Sequence, residues 1–208
     1  MNPLIKKLKV LAFASGYGST LEHLLKYETS QNPQWTVTGV VCDNPRARAL
    51  TVAKQYARAA VLVSRQDFKS GTEFDHAIFK AVEQQSPDVI FLLGYLKKVD
   101  AKLINSFSGR IFNSHPSLLP KYGGKKMYGR AVHEAVLRAG ELETGVTLHE
   151  VNENYDSGRV RVQKKIQIKS SWTVDEVENA VKILEKQTIV EFLNQIAGAG
   201  AGAFEAKM

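Results

Sequence analysis

From residue 8 to residue 112 the sequence alternates strictly between short apolar runs and segments of helical spacing, and few folds accommodate that order. Leu8 to Ala14 is continuously apolar, as in a strand covered on both faces of a parallel sheet. Ser15-Gly16-Tyr17-Gly18-Ser19-Thr20 follows, then Leu21, Leu24 and Leu25 at helical spacing. Trp35 to Cys42 reads as the second strand, Asp43-Asn44-Pro45 as a turn, Arg46 to Arg58 as a helix and Ala60 to Val63 as the third strand. Phe74, Ile78, Ala81 and Val82 mark the buried face of the next helix. Asp88 to Leu93 is the fourth strand, Lys97 to Phe107 a short helix, and Arg110-Ile111-Phe112 the end of the fifth strand. This series predicts an α/β fold, a doubly wound and mostly parallel sheet of Rossmann-like type. Beyond it, Val132 to Ala139 reads as a helix, while Gly145 to Val151 and Val160 to Ile168 alternate as strands. These two predict antiparallel C-terminal additions to the sheet. Thr173 or Ser171 caps a long helix with its stripe at Val177, Val181, Leu184, Thr188, Phe192 and Ile196. The Ala-Gly run that follows reads as a flexible tail, so one domain over residues 1–196 and a tail at 197–208 are expected.

In such sheets ligands bind outside the carboxyl ends of the strands, where Gly16–Thr20, Gly94–Lys98 and Asn113–Pro120 all fall in this reading. The glycine-rich turn opens a helix, so its free N–H groups suit a phosphate. Leu21 occupies the place of the third glycine of a dinucleotide fingerprint, and no Gly-Lys-Ser/Thr follows. A single phosphate monoester at Gly18, Ser19 and Thr20, or a tight turn without ligand, remain as the two readings. Pro116 and Pro120 lack backbone donors, so the chain is expected to leave the sheet after Phe112 in a rigid loop. In an extended backbone the Asn113 amide and His115 imidazole would point the same way. A neutral donor beside a titratable one suits a developing oxyanion; a polar turn with a solvated histidine is the alternative. Lys121 to Gly129 is rich in glycine and lysine and reads as a mobile loop, either a basic flap over an anion or a solvated segment.

The 208 residues suffice for one sizeable core, and no apolar run approaches a membrane span. The apolar stretch Val10 to Ala14 is too short for a signal sequence, and Cys42 is the single cysteine. A disulfide framework and a multi-cysteine metal site are thereby excluded, and a reducing, cytoplasmic location is expected. The formal charge of +7 favours anionic partners. Its lysines and arginines are dispersed, which points to phosphorylated or polycarboxylate small molecules over nucleic acid or membrane. His23, His76, His133 and His149 match no metal spacing and read as surface or core residues.

With these residues in view, the sequence resembles the folate-dependent formyltransferases over roughly residues 8 to 195. Ser15-Gly16-Tyr17-Gly18-Ser19 is similar to the family's phosphate loop, and Leu93-Gly94-Tyr95-Leu96-Lys97 to the segment beside the folate pterin. Asn113-Ser114-His115-Pro116-Ser117-Leu118-Leu119-Pro120-Lys121-Tyr122 is the most specific match, and Asp156-Ser157-Gly158 resembles the catalytic aspartate loop. The resemblance implies formyl transfer from 10-formyltetrahydrofolate, a co-substrate, to the primary amine of a phosphorylated glycinamide in purine synthesis, with no metal. It implies a catalytic trio of Asn113, His115 and Asp156, and a phosphate held at Gly18, Ser19 and Thr20. It further implies pterin-side contacts from the backbone of Leu96, Lys97, Lys98 and Val99 and of Asn152, Glu153, Asn154, Tyr155 and Asp156. Glu185 stands where the family holds the amine side of its substrate. Tyr17, Thr20, Lys97, Gly71 and Lys186 depart from the family pattern without touching the trio. A 10-formyltetrahydrofolate hydrolase is the enzymatic alternative, expected to carry a regulatory domain ahead of the first strand; a non-enzymatic nucleotide-binding module leaves the trio unexplained. Self-association as a homodimer is left open.

Overall fold

The computed structural model describes residues 6–199. The described residues pack as two compact units, one of residues 6–111 together with 193–199, the other Phe112–Phe192.

The first unit holds four parallel strands, β1 (Leu8–Ala14), β2 (Trp35–Cys42), β3 (Ala59–Leu62) and β4 (Val89–Leu92), in the order β3-β2-β1-β4. The crossovers are α1 (Ser19–Gln31), α2 (Arg48–Gln55) and α3 (Gly71–Gln85). Val10, Leu11, Ala12, Phe13 and Ala14 are buried almost completely, as a strand covered on both faces requires. Phe74, Ile78, Ala81 and Val82 form the buried face of α3, as their spacing predicts. Ile90 N donates to Arg110 O, which sets the chain entering the next strand beside β4. The predicted helix from Lys97 is shorter than expected: α4 is Ala101–Ser106, because the Asp100 carboxylate caps it by accepting from Lys102 N at 2.8 Å.

In the second unit β5 (Ile111–His115), β6 (Glu143–Glu150) and β7 (Val160–Gln167) pair antiparallel, the expected C-terminal addition. The expectation that the strand stops before Asn113 is corrected. The β5–β6 pairing runs from Phe112↔Glu150 through Asn113↔His149 to His115↔Thr147. Pro116 is the first residue of this run without a donor for the ladder, so the strand ends there. The helix α5 (Arg130–Arg138) lies between β5 and β6 in sequence.

The long helix α6 (Val174–Ala199) opens with a capping box: Thr173 Oγ1 accepts from Glu176 N, and the Glu176 carboxylate accepts from Thr173 N at 2.7 Å. Thr173, and not Ser171, is therefore the cap. Within the second unit α6 packs on β5 through Phe192, whose ring meets Phe112 edge-on at 4.9 Å. Residues 197–199, placed in the tail from sequence, are helical; 200–208 lie outside the described residues.

Candidate active site

Because β5 stays extended to His115, Asn113 and His115 fall on one face of it and Ser114 on the other. His115 is nearly completely buried. Its Nε2 lies 2.7 Å from Tyr122 O and its Nδ1 3.4 Å from Asp156 Oδ2. A ring with an acceptor at each nitrogen has the hydrogen-bonding pattern of the imidazolium, which donates from both. Asp156 arrives on the loop after β6 in the left-handed region, φ +52°, uncommon for a residue with a side chain. Gly124 N donates to its Oδ2 at 2.8 Å and fixes the carboxylate. Burial pushes the Asp156 carboxyl up, but the His115 ring and the Gly124 N–H outweigh it and hold the group well below the usual carboxylate range.

Gly158 explains the last position of the Asp156-Ser157-Gly158 run. A Cβ there would stand 1.8 Å from Glu150 O, so only glycine lets the loop pass this close to the end of β6.

His149, read from sequence as a bystander, is the fourth member of this cluster. It is buried on β6 directly across from Asn113 in the ladder. Its Nδ1 faces Glu150 O at 2.9 Å and so carries the proton. Its Nε2 is 3.2 Å from Asn113 Nδ2 and 3.5 Å from Asp156 Oδ1. A bare nitrogen accepts from the amide, whereas a protonated one would donate to the carboxylate and repel the amide N–H. The shorter contact makes Asn113 the partner, and His149 thereby fixes which edge of that amide bears the donors.

Glu185 is not brought onto the face of the trio. It accepts from Ser114 Oγ, the residue that points to the opposite side of β5. Asn152, Glu153, Asn154 and Tyr155 form the exposed turn before Asp156, in which Asn152 Oδ1 accepts from Asn154 N and Ser157 Oγ.

In the first unit Gly18 is the N-cap of α1, with φ +71° and no side-chain cap. A Cβ on Gly18 would come within 2.7 Å of Ala49 Cα, which ties this glycine to the packing of α2 as well as to any ligand. Ser15 joins this turn to the Gly94–Lys98 segment: Ser15 N donates to Gly94 O and Leu96 N to Ser15 Oγ at 2.9 Å. Leu96, Lys97 and Lys98 are exposed, and Val99 is buried. Burial raises the Cys42 thiol to about 12, which leaves it an inert core residue. Among the described residues no group of three or more His, Cys, Asp or Glu side chains could hold a metal ion, and no helix is long and apolar enough to cross a membrane.

The profile of the formyl transferase family matches residues 8–193. The phosphoribosylglycinamide formyltransferase of Haemophilus influenzae is 34% identical over 88% of this chain and 83% of its own length. That of Bacillus subtilis is 29% identical over 91% of this chain and 95% of its own. The solved structure of the phosphoribosylglycinamide formyltransferase of Coxiella burnetii superposes with a TM-score of 0.85 at 28% identity, covering 93% of this chain and 88% of that one. A profile match from the first strand into the last helix, carried by a fold shared over nine-tenths of the chain, means that this chain belongs to the formyl transferase family.

Proposed function

We propose that the chain transfers the formyl group of 10-formyltetrahydrofolate to the primary amine of glycinamide ribonucleotide, a step of purine synthesis, in the cytoplasm. One observation carries this reading: Asn113 and His115 on β5 and Asp156, distant from them in sequence, meet in one polar cluster of a chain whose relatives are named for this activity.

The amine must be neutral to attack the formyl carbon, and the tetrahedral adduct carries an oxyanion. One Nδ2–H of Asn113 is held by His149, and the second is available to that oxygen. The His115 ring adds positive charge beside it, sustained by the ionised Asp156. The carboxylate also stands ready to accept, through a water, the proton that the amine loses. The cap-free start of α1 at Gly18, Ser19 and Thr20 binds the substrate phosphate through backbone N–H groups. The backbones of Leu96–Val99 and of Asn152–Asp156 take the pterin side.

Initial rates of tetrahydrofolate formation, with and without the ribonucleotide, test the assignment. Release should require both substrates, and glycinamide riboside without phosphate should show a KM raised on the order of a hundredfold, as expected for loss of a charged hydrogen-bonding group. Release at the same rate without the amine would identify a hydrolase instead.

A further inference from the structure

The segment that follows β5 reaches back to the site with its backbone. Ser117 Oγ donates to Lys121 O, and Leu119 N to Thr147 Oγ1, anchoring its first half beside β6. Its second half places Tyr122 O on His115 Nε2 and Gly124 N on Asp156 Oδ2. Two backbone groups two residues apart thus set both the ring and the carboxylate. Tyr122 adopts φ +58°, a conformation that disfavours a residue with a side chain by roughly 1–2 kcal/mol, so something must hold it there.

Glu141 is that hold. It follows Gly140, just past the end of α5, and its Oε1 accepts from the Tyr122 hydroxyl at 2.9 Å and from Lys121 Nζ at 2.8 Å. The Lys121 and Tyr122 hydrogen bonds keep the Glu141 carboxyl below the usual range, so it is a charged acceptor. Lys121 is largely exposed and its pair with Glu141 is screened by water. The phenol bond is the one with a geometric consequence, because the same residue presents its carbonyl to His115.

We propose that Glu141, together with the Tyr122 hydroxyl, is a positioning element for the reaction. It fixes the Lys121–Gly124 strap, and the strap fixes His115 and Asp156 at the distance that acyl transfer needs. This rests on the formyl-transfer reading for its kinetic consequence, but not for its structural one.

The test compares Tyr122→Phe, Glu141→Ala and Glu141→Gln with the wild-type chain by steady-state kinetics and by the His115 Nε2–H resonance of the free protein. Tyr122→Phe and Glu141→Ala should lower kcat on the order of tenfold, within the cost of small misplacements of catalytic groups, and leave both KM values nearly unchanged. Both should shift or broaden the His115 resonance. Glu141→Gln should remain near wild type, because its amide oxygen still accepts from the phenol. An unmoved resonance with unchanged kcat in Tyr122→Phe would overturn the proposal. So would a kcat loss that follows only the folded fraction, or Glu141→Gln failing as badly as Glu141→Ala. If the wild-type chain transfers no formyl group, the functional reading fails, while the resonance still decides whether the strap is held as described.

Discussion

Asp156 is the residue on which the site's charge balance turns. It sits between two histidine rings in a left-handed backbone conformation, its carboxylate pinned by Gly124 N. Its depressed proton affinity makes a testable statement about stability. A carboxyl with a folded-state pKa below its unfolded value stabilises the fold above the unfolded value, and that contribution is lost as pH falls through the folded one. Chemical denaturation of Asp156→Asn against wild type should show a deficit of about 1–3 kcal/mol at pH 7, the range for hydrogen bonds to a charged group. The deficit should persist down to about pH 4, near the unfolded carboxyl value, and shrink only below it. A deficit constant from pH 7 to pH 2 would mean that ionised Asp156 contributes nothing to the folded state. His149 shows what sequence could not supply at this scale. The Asn113 and His115 pair is legible because two residues of one extended segment face alike. His149 joins them through the register Asn113↔His149, a pairing of residues 36 apart in sequence that no local pattern encodes.

Among the elements, those with a local cause were legible. The buried stripe of α3 was readable from its spacing, and the cap of α6 was narrowed by residue type to Thr173 or Ser171, of which the structure shows Thr173. The extent of β5 was not, because the prolines mark where a strand must end and β6 decides how far it runs before that. The start of α4 was missed for a related reason, since the Asp100 cap and not the apolar spacing sets it. The start of α1 offers a prediction in which stability and binding move in opposite directions. Ser19 is exposed at the first helical position after a glycine cap. Ser19→Asp places a negative charge at the positive end of the helix dipole and should stabilise the fold by about 0.3–1 kcal/mol. The same charge should repel the substrate phosphate and raise the ribonucleotide KM on the order of tenfold or more, with the folate KM unchanged. Equal changes in the two KM values, measured by steady-state kinetics, would contradict the phosphate placement. Gly18 is a poorer probe, because any side chain there meets Ala49 and strains the turn.

For the whole molecule, the alternation of strands and helices announced the fold class, and the family match and superposition bear it out over most of the chain. The surplus of 28 basic over 21 acidic residues suits two anionic small molecules, a phosphate ester and a folate. Distant motifs pointed to one chemistry because acyl transfer to an amine needs an oxyanion donor, a positive charge and a proton acceptor together. In the proposed reading Asn113, His115 and Asp156, gathered in one polar cluster, supply these together. The most direct test of this account is a single-turnover reaction with a donor carrying ¹³C in its formyl group, run with wild type and with Asp156→Asn and read by NMR of the products. The wild-type chain should place the label on the nitrogen of glycinamide ribonucleotide, and the variant should form the same product more slowly, on the order of 10²–10³-fold. Label released as formate by the wild type, or transfer by Asp156→Asn at the wild-type rate, would contradict it.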